Sequence, residues 1–449
     1  MPVIRQVKNE ILPLNLPNNN AFSFSKGSSL IQFMIASNPV AMLNNSLHIK
    51  GKYRLNRPAS QFSAPVFPNN NTNSSVGTAY DLKLNSRIGI DSAFERITIS
   101  TQLGQTCESV KQYGRLQSIL NPLKNNQSDF DGKLQKNPGI ASREKIGANQ
   151  LNTEVDFCIP IGVGMFSNEF TALGKNGMNG LQIQFSLSPD FNCFQSSEAD
   201  ANSCFYEIVN CSLVYDTIHF DTETERRMNT ASTGAIEFNT FSSLYSVINS
   251  NDAQINYNLG LSKVLAVTTT VLPTTHINSV TQDGFSTGEL KNTNANGVYD
   301  TTAKLNRLEY IRNGVKSPLD YEIQTNIPSS QNRPKVEVID NLKSAFNSRD
   351  SPNCLISLNT EVGLKTKTDL DGTALRTIST IVTEAEDEPC FGLGINQDTL
   401  TKVGRDFKSA TFATRILSDL DGSSPNSLTT FVLNKNVLQF SPQGVVVMS

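Results

Sequence analysis

The sequence changes character sharply at its middle, and that change restricts what the chain can build. Cys204 to Phe220 (CFYEIVNCSLVYDTIHF) is a long run rich in Tyr, Ile, Val, Leu and Phe, the residue types that fit a strand. Asp221 to Thr233 (DTETERRMNTAST) is polar and charged with nothing to bury, and at Gly234 a second β-rich stretch opens with AIEFNTF. Two β-rich parts of nearly equal length on either side of one polar joint predict two similar barrels. The boundaries that follow are an N-terminal arm over 1–20, a first barrel over 21–220, a linker over 221–234, and a second barrel with the C-terminal tail over 235–449. With 449 residues in all, each half has about 200, enough to bury its own core.

In the first half, Leu30 to Ile35 is a short apolar run, and Leu47, Ile49, Tyr53 and Leu55 alternate with polar residues around Gly51. That period of two marks half-buried strands. It resumes in AYDLKL (79–84), FERITIS (94–100), VDFCIP (155–160) and LQIQFSLS, where Leu181, Ile183, Phe185 and Leu187 alternate without error. One helix interrupts the pattern. In SVKQYGRLQSILNPL, Val110, Tyr113, Leu116, Ile119, Leu120 and Leu123 fall at spacings of three and four, and Pro122 is expected to end the run. Residues 1–20, closed by Pro13, Pro17 and Asn18 to Asn20, read as an arm that orders only against a neighbour.

The second half repeats the plan. Strands are expected at Ile236 to Ile248, Ile255 to Leu261 and Val264 to Leu272, and Asn313-Gly314 is a hairpin signal between two alternating segments. KVEVIDNLKSAF (335–346) predicts a helix, and ALRTISTIV, FGLGI, FATRIL and SLTTFVLNKNVLQF supply further strands. Long loops are expected at 56–78, 124–152 and 273–304. With no βαβ rhythm the class is all-β, and connections too long for a meander favour two tandem eight-stranded jelly rolls, each with one short helix.

Composition narrows the function. Charged residues are 18% of the chain, Trp is absent and the formal net charge is −3, so nothing marks an electrostatic footprint for nucleic acid. Arg5, Lys8 and Glu10 interrupt the apolar core a signal peptide needs, and no stretch approaches the ~20 apolar residues that span a bilayer, so an intracellular origin is expected. The seven cysteines are scattered with no C-x-x-C pair, which argues against a disulfide framework or a zinc site.

Catalytic patterns fail on context. Gly284 to Gly288 (GFSTG) has the spacing of a nucleophile elbow, but the strand-turn-helix setting is missing and no histidine follows His276. His48, His219 and His276 are far apart and lack a second ligand at metal spacing. The Asp-x-Asp-Gly sequences at Asp129, Asp369 and Asp419 suit Asx turns, since the EF-hand register would need Glu at Thr380. Gly392-Leu393-Gly394 is too short for a phosphate loop, and Glu384 to Glu388 reads as a solvated acidic run. No catalytic, cofactor-binding or metal-binding residue is assigned, and no enzyme is expected.

Three segments carry a family resemblance. VDFCIPIGVGMFSNEFTALGKNGMNGLQIQFSLS resembles the stretch of double jelly-roll major capsid proteins in which a strand ending in Ile-Pro passes through a short Phe-containing turn to an alternating strand. LVYDTIHFDTETERR is similar to the end of the first jelly roll in that family, and LNRLEYIRNGVKSPLDYEI to a second-barrel segment of polinton-like virus and adintovirus capsid proteins. The resemblance implies two upright barrels per subunit and a homotrimer of pseudo-hexagonal outline, tiling an icosahedral double-stranded DNA virus shell. It further implies location in the virion after synthesis in the host cell. Penton and minor or cement proteins are the implied partners, with residues 1–20 reaching neighbouring capsomers or an internal membrane. No cofactor and no sequence-specific contact with nucleic acid are implied. The competing reading is a receptor- or carbohydrate-binding β-sandwich, which would require exposed aromatic platforms that a Trp-free chain with strand-bound Tyr and Phe does not offer.

Overall fold

The computed structural model describes residues 5–56, 83–84, 88–124, 154–175, 178–195, 204–230, 234–277, 284–285, 292–293, 299–300, 305–316, 323–324, 345, 364–366, 377–379, 393–396, 404–418, 425–441 and 444–448. Most of the three long loops, the Asp-x-Asp-Gly turns and the Glu384 to Glu388 run lie outside the described residues. Of the helix expected at 335–346, only Ala345 is described, and it is helical and buried.

The strands of the first half are Arg5–Ile11 (β1), Ala21–Phe22 (β2), Leu30–Ala36 (β3), Ala41–Asn56 (β4), Lys83–Leu84 (β5), Phe94–Thr101 (β6) and Thr106–Lys111 (β7). After the helix Tyr113–Lys124 come Glu154–Pro160 (β8), Phe170–Ala172 (β9), Gly180–Leu187 (β10), Phe194–Gln195 (β11) and Phe205–His219 (β12). One sheet runs β1-β12-β4-β8, with β2 and β9 attached to it, and the facing sheet runs β3-β10-β6-β7. The alternation read in the sequence is the reason. Leu181, Ile183, Phe185 and Leu187 of β10 point inward and are buried, while Gln182, Gln184 and Ser186 between them are only half-buried.

The second half comprises Gly234–Ile248 (β13), Asp252–Tyr257 (β14), Val264–Pro273 (β15), the small ladder Asn292–Thr293 (β16) with Tyr299–Asp300 (β17), Leu305–Arg312 (β18), Val315–Lys316 (β19) and Ile323–Gln324 (β20). Leu364–Thr366 (β21) pairs with Thr377–Ser379 (β22), followed by Leu393–Asn396 (β23), Phe412–Ser418 (β24), Asn426–Ser441 (β25) and Gly444–Met448 (β26). The sheets are β13-β25-β15-β23 and β14-β24-β18-β19. Setting aside the short attached strands, the eight long-range strands of each half pair in the order 1-8-3-6 in one sheet and 2-7-4-5 in the other. That is the two-sheet Greek-key order of a jelly roll, built twice by one chain. Asn313 and Gly314 join β18 to β19 with φ of 51° and 76°, the two positive values that a tight type I′ hairpin requires.

Three expectations need correction. The described part of the arm, residues 5–20, does not wait for a neighbour to order, because β1 pairs with β12 along its whole length, from Arg5 opposite His219 to Ile11 opposite Leu213. The linker, expected from its polar sequence to have nothing to bury, does bury a side chain. Thr222–Thr230 is helical, with Asp221 accepting at its N-terminus from the Thr224 N–H (2.9 Å) and the Thr224 hydroxyl (2.6 Å). Met228 of that helix packs on Ile218 and Phe220, the burial that the polar sequence disguised. Finally, the helix after β7 starts at Tyr113, not near Ser109, and runs past Pro122 to Lys124. Val110 fits both periods, and pairing of Ile97 with Val110 holds it in the sheet.

Candidate functional site

No compact reactive centre organises the described residues; what the fold positions with care is the seam between its halves. The edge of the first barrel formed by β7, and by the 3-10 turn Gly164–Phe166 that follows β8, meets the first strand of the second barrel, β13. Glu108 on β7 sits at the centre, only 4% exposed. Its carboxylate accepts hydrogen bonds from the N–H groups of Gly164 (3.0 Å) and Met165 (2.7 Å) and from the Thr240 hydroxyl on β13 (2.5 Å). Burial pushes the Glu108 carboxyl above the usual range, while those three donors pull the other way.

Close backbone approach surrounds this node. A Cβ at Gly164 would lie 1.7 Å from the Asn239 carbonyl oxygen, so only glycine allows the turn to press against β13. Asn168 donates through its side chain to the Glu237 carbonyl (3.4 Å), and the Lys175 ammonium sits 4.7 Å from the centre of the Phe440 ring. On the far side of the seam the Gln105 side chain accepts from the Val445 N–H of β26 (2.6 Å). The hairpin of β6 and β7 thereby holds β13 through Glu108 and β26 through Gln105. Apolar packing is continuous across the junction, since Phe238, Phe431, Leu438, Phe440 and Val445 of the second half belong to the core of the first. A separate core around Phe407, Phe412, Leu428 and Val432 fills the second barrel.

The residues the sequence raised for chemistry are dispersed. His48 lies 2.8 Å from the Ser46 carbonyl, and His219 is 3.8 Å from the Glu225 carboxylate. Among the described residues no three His, Cys, Asp or Glu side chains gather as metal ligands. Cys107, Cys158, Cys193, Cys204 and Cys211 are free thiols; burial raises Cys107 to about 12 and pushes Cys193 and Cys211 up as well, leaving them protonated and unreactive at neutral pH. Gly284 and Phe285 of the elbow-like motif pack on the first half's helix instead: the Gly284 carbonyl accepts from Arg115 (2.5 Å) and Phe285 is buried against Gly114. Leu393 and Gly394 belong to β23, paired with β15, which removes them from any phosphate loop.

A second buried carboxylate, Asp190, is 8% exposed and accepts from the Tyr206 N–H (3.1 Å) and from the Ser25 hydroxyl. Burial raises it to about 6. Tyr206 in turn donates its hydroxyl to the Ser188 carbonyl (2.7 Å), so the cluster ties β12 to the segment just after β10. Sequence reasoning passed over both carboxylates. No local signal marks Glu108, since β7 also carries Thr106, Ser109 and Lys111 and a carboxylate among them reads as a surface residue.

The sequence matches no family model and no curated protein. The fold does have known counterparts. The capsid structure of the virus PBCV-1 superposes with a TM-score of 0.58 at 10% identity, covering 99% of this chain and 97% of that one. The Faustovirus major capsid protein gives 0.56 at 9% identity, covering 98% and 92%. A chain of the Sputnik virophage gives 0.54 at 10% identity, covering 99% and 88%. These likenesses extend over both barrels and the seam, and the fold of this chain is the double jelly roll found in those viral capsid proteins.

Proposed function

We propose that the chain is a major capsid protein, three copies of which form a pseudo-hexagonal capsomer of an icosahedral double-stranded DNA virus. One observation carries this reading: the same strand order is built twice and the two barrels are fused edge to edge, a design with full-length counterparts in viral capsids. A subunit whose work is tiling needs a fixed angle between its barrels. The continuous core and the Glu108 node supply that rigidity. The role is structural rather than enzymatic, a reading supported by the likeness of the fold to viral capsid proteins. Contacts with penton, minor or cement proteins, and an approach of the N-terminal segment to an internal membrane, belong to the same reading and await their own tests.

Electron microscopy of the purified protein is the direct check. Class averages viewed along the barrel axes should be hexagonal in outline with threefold symmetry. Elongated two-lobed particles, with no larger species at any concentration, would overturn the proposal.

A further inference from the structure

Short turns at one end of the second barrel gather positive charge on a chain whose formal net charge is −3. Backbone hydrogen bonds hold these turns together. The Val264 and Arg405 N–H groups each donate to the other's carbonyl (2.8 Å), the Phe407 N–H to the Leu261 carbonyl (2.8 Å), the Lys435 N–H to the Lys263 carbonyl (3.0 Å) and the Asn313 N–H to the Thr411 carbonyl (2.9 Å). The Arg312 guanidinium donates to the Asp406 carbonyl (2.7 Å). Lys263, Arg312, Arg405, Lys408 and Lys435 therefore share one surface. The carboxylates beside them among the described residues are Asp406 and Glu237, the latter 3.4 Å from Lys435, so cations outnumber carboxylates there.

Exposed apolar side chains adjoin this surface. β13 occupies one edge of β25 throughout 426–440, so β15 and β26 follow one another along the other edge, Val264 opposite Asn434 and Met448 opposite Val437. The end of β26 thus lies beside the start of β15, where Lys263 is. Val446, Val447 and Met448 are 56%, 38% and 45% exposed, and Leu103, at the tip of the β6–β7 hairpin, is 62% exposed. Gln105 of that hairpin accepts from the Val445 N–H, which places the hairpin tip at the same rim.

We propose that this rim docks on an anionic lipid bilayer, with the lysines and arginines against lipid head groups and Val446, Val447, Met448 and Leu103 entering the interface. Charge complementarity selects an anionic partner. A nucleic acid would answer the charge alone, whereas large apolar side chains exposed beside cations are the combination that a head-group boundary accepts. The surface belongs to the second barrel of a single chain, so it stands or falls apart from the capsomer and its trimer mass.

The test is co-sedimentation of the full-length chain with phosphatidylcholine vesicles, with and without about a third phosphatidylserine. Wild type should bind the anionic vesicles and not the neutral ones. Lys263→Ser/Lys408→Ser/Lys435→Ser should weaken that binding at least about tenfold. Val446→Ser/Met448→Ser should remove the part of the binding that survives high salt. Circular dichroism and melting temperature should match wild type for both variants. Should the β26 changes lower the melting temperature, Leu103→Ser on the hairpin tip reads the same apolar rim. A wild type that leaves anionic vesicles unbound overturns the proposal, and so does equal binding by the lysine variant. Binding to duplex DNA without binding to the vesicles would make the surface a nucleic-acid site and overturn the lipid assignment.

Discussion

The Thr240 hydroxyl of the second barrel donates to the Glu108 carboxylate of the first at 2.5 Å, and both residues are almost fully buried. One hydrogen bond thus ties the two halves at the point where the backbone of the Gly164 turn also converges. Replacing Glu108 by Ala leaves two N–H groups and a hydroxyl without an acceptor in a place water does not reach, which is expected to cost about 3 kcal/mol or more. Glu108→Gln retains one acceptor and should lose less. Urea unfolding of the three proteins checks the order, and an Ala variant as stable as wild type would remove Glu108 from the account.

Gly164 makes a steric prediction in the same place. A methyl group there would meet the Asn239 carbonyl oxygen, which is backbone and cannot swing aside. Gly164→Ala should therefore open the seam rather than strain a side chain, shown by faster hydrogen exchange at β7 and β13 with other strands unaffected. Gly27, whose Cβ would meet nothing, is the control for space alone, though its φ of 86° still favours glycine.

Asp190 gives a pH dependence of definite sign. Its folded-state value of about 6 lies above its ordinary 3.8 because burial disfavours the charge. The folded chain then binds the proton more tightly than the unfolded chain, so this group opposes folding above pH 6 and ceases to do so below its unfolded value. Relative to an Asp190→Asn variant, wild type should gain stability as the pH falls from about 6 towards 3.8. Melting temperatures across that window measure it, and parallel curves for the two proteins would contradict the assignment.

Deleting residues 1–20 should destabilise the isolated subunit. The deletion removes all of β1 from β12 and strips Leu14 and Asn15 from β3, leaving two strand edges bare. It also removes the Lys50–Glu10 ion pair, though that exposed contact matters little. The expected results are a lower melting temperature and a tendency to aggregate through the uncovered edges. A truncated chain that melts with wild type would show β1 to be dispensable.

Much of the fold was legible because the strands obey a period of two. β6, β8, β10 and β25 stand where alternation placed them, and the Asn313-Gly314 hairpin has the turn its residues require. What stayed hidden was whatever depends on contacts distant in sequence. β1 carries Arg5, Lys8 and Glu10 and looks like a solvated arm, yet an edge strand needs only one apolar face and finds it against β12. The linker helix conceals a single buried face behind a charged composition, with Met228 as its lone apolar contact. Glu108 was invisible for the same reason. Nothing local distinguishes it from a surface carboxylate, and its role arises only when Thr240 arrives from the other barrel.

The central claim, that this double barrel is the repeating tile of a shell, is tested most directly by the mass of the purified protein in solution. Light scattering coupled to size exclusion should give a stable species three times the 49.1 kDa chain mass. A monomer or a dimer at every concentration would leave the tandem jelly roll in place and contradict the capsomer.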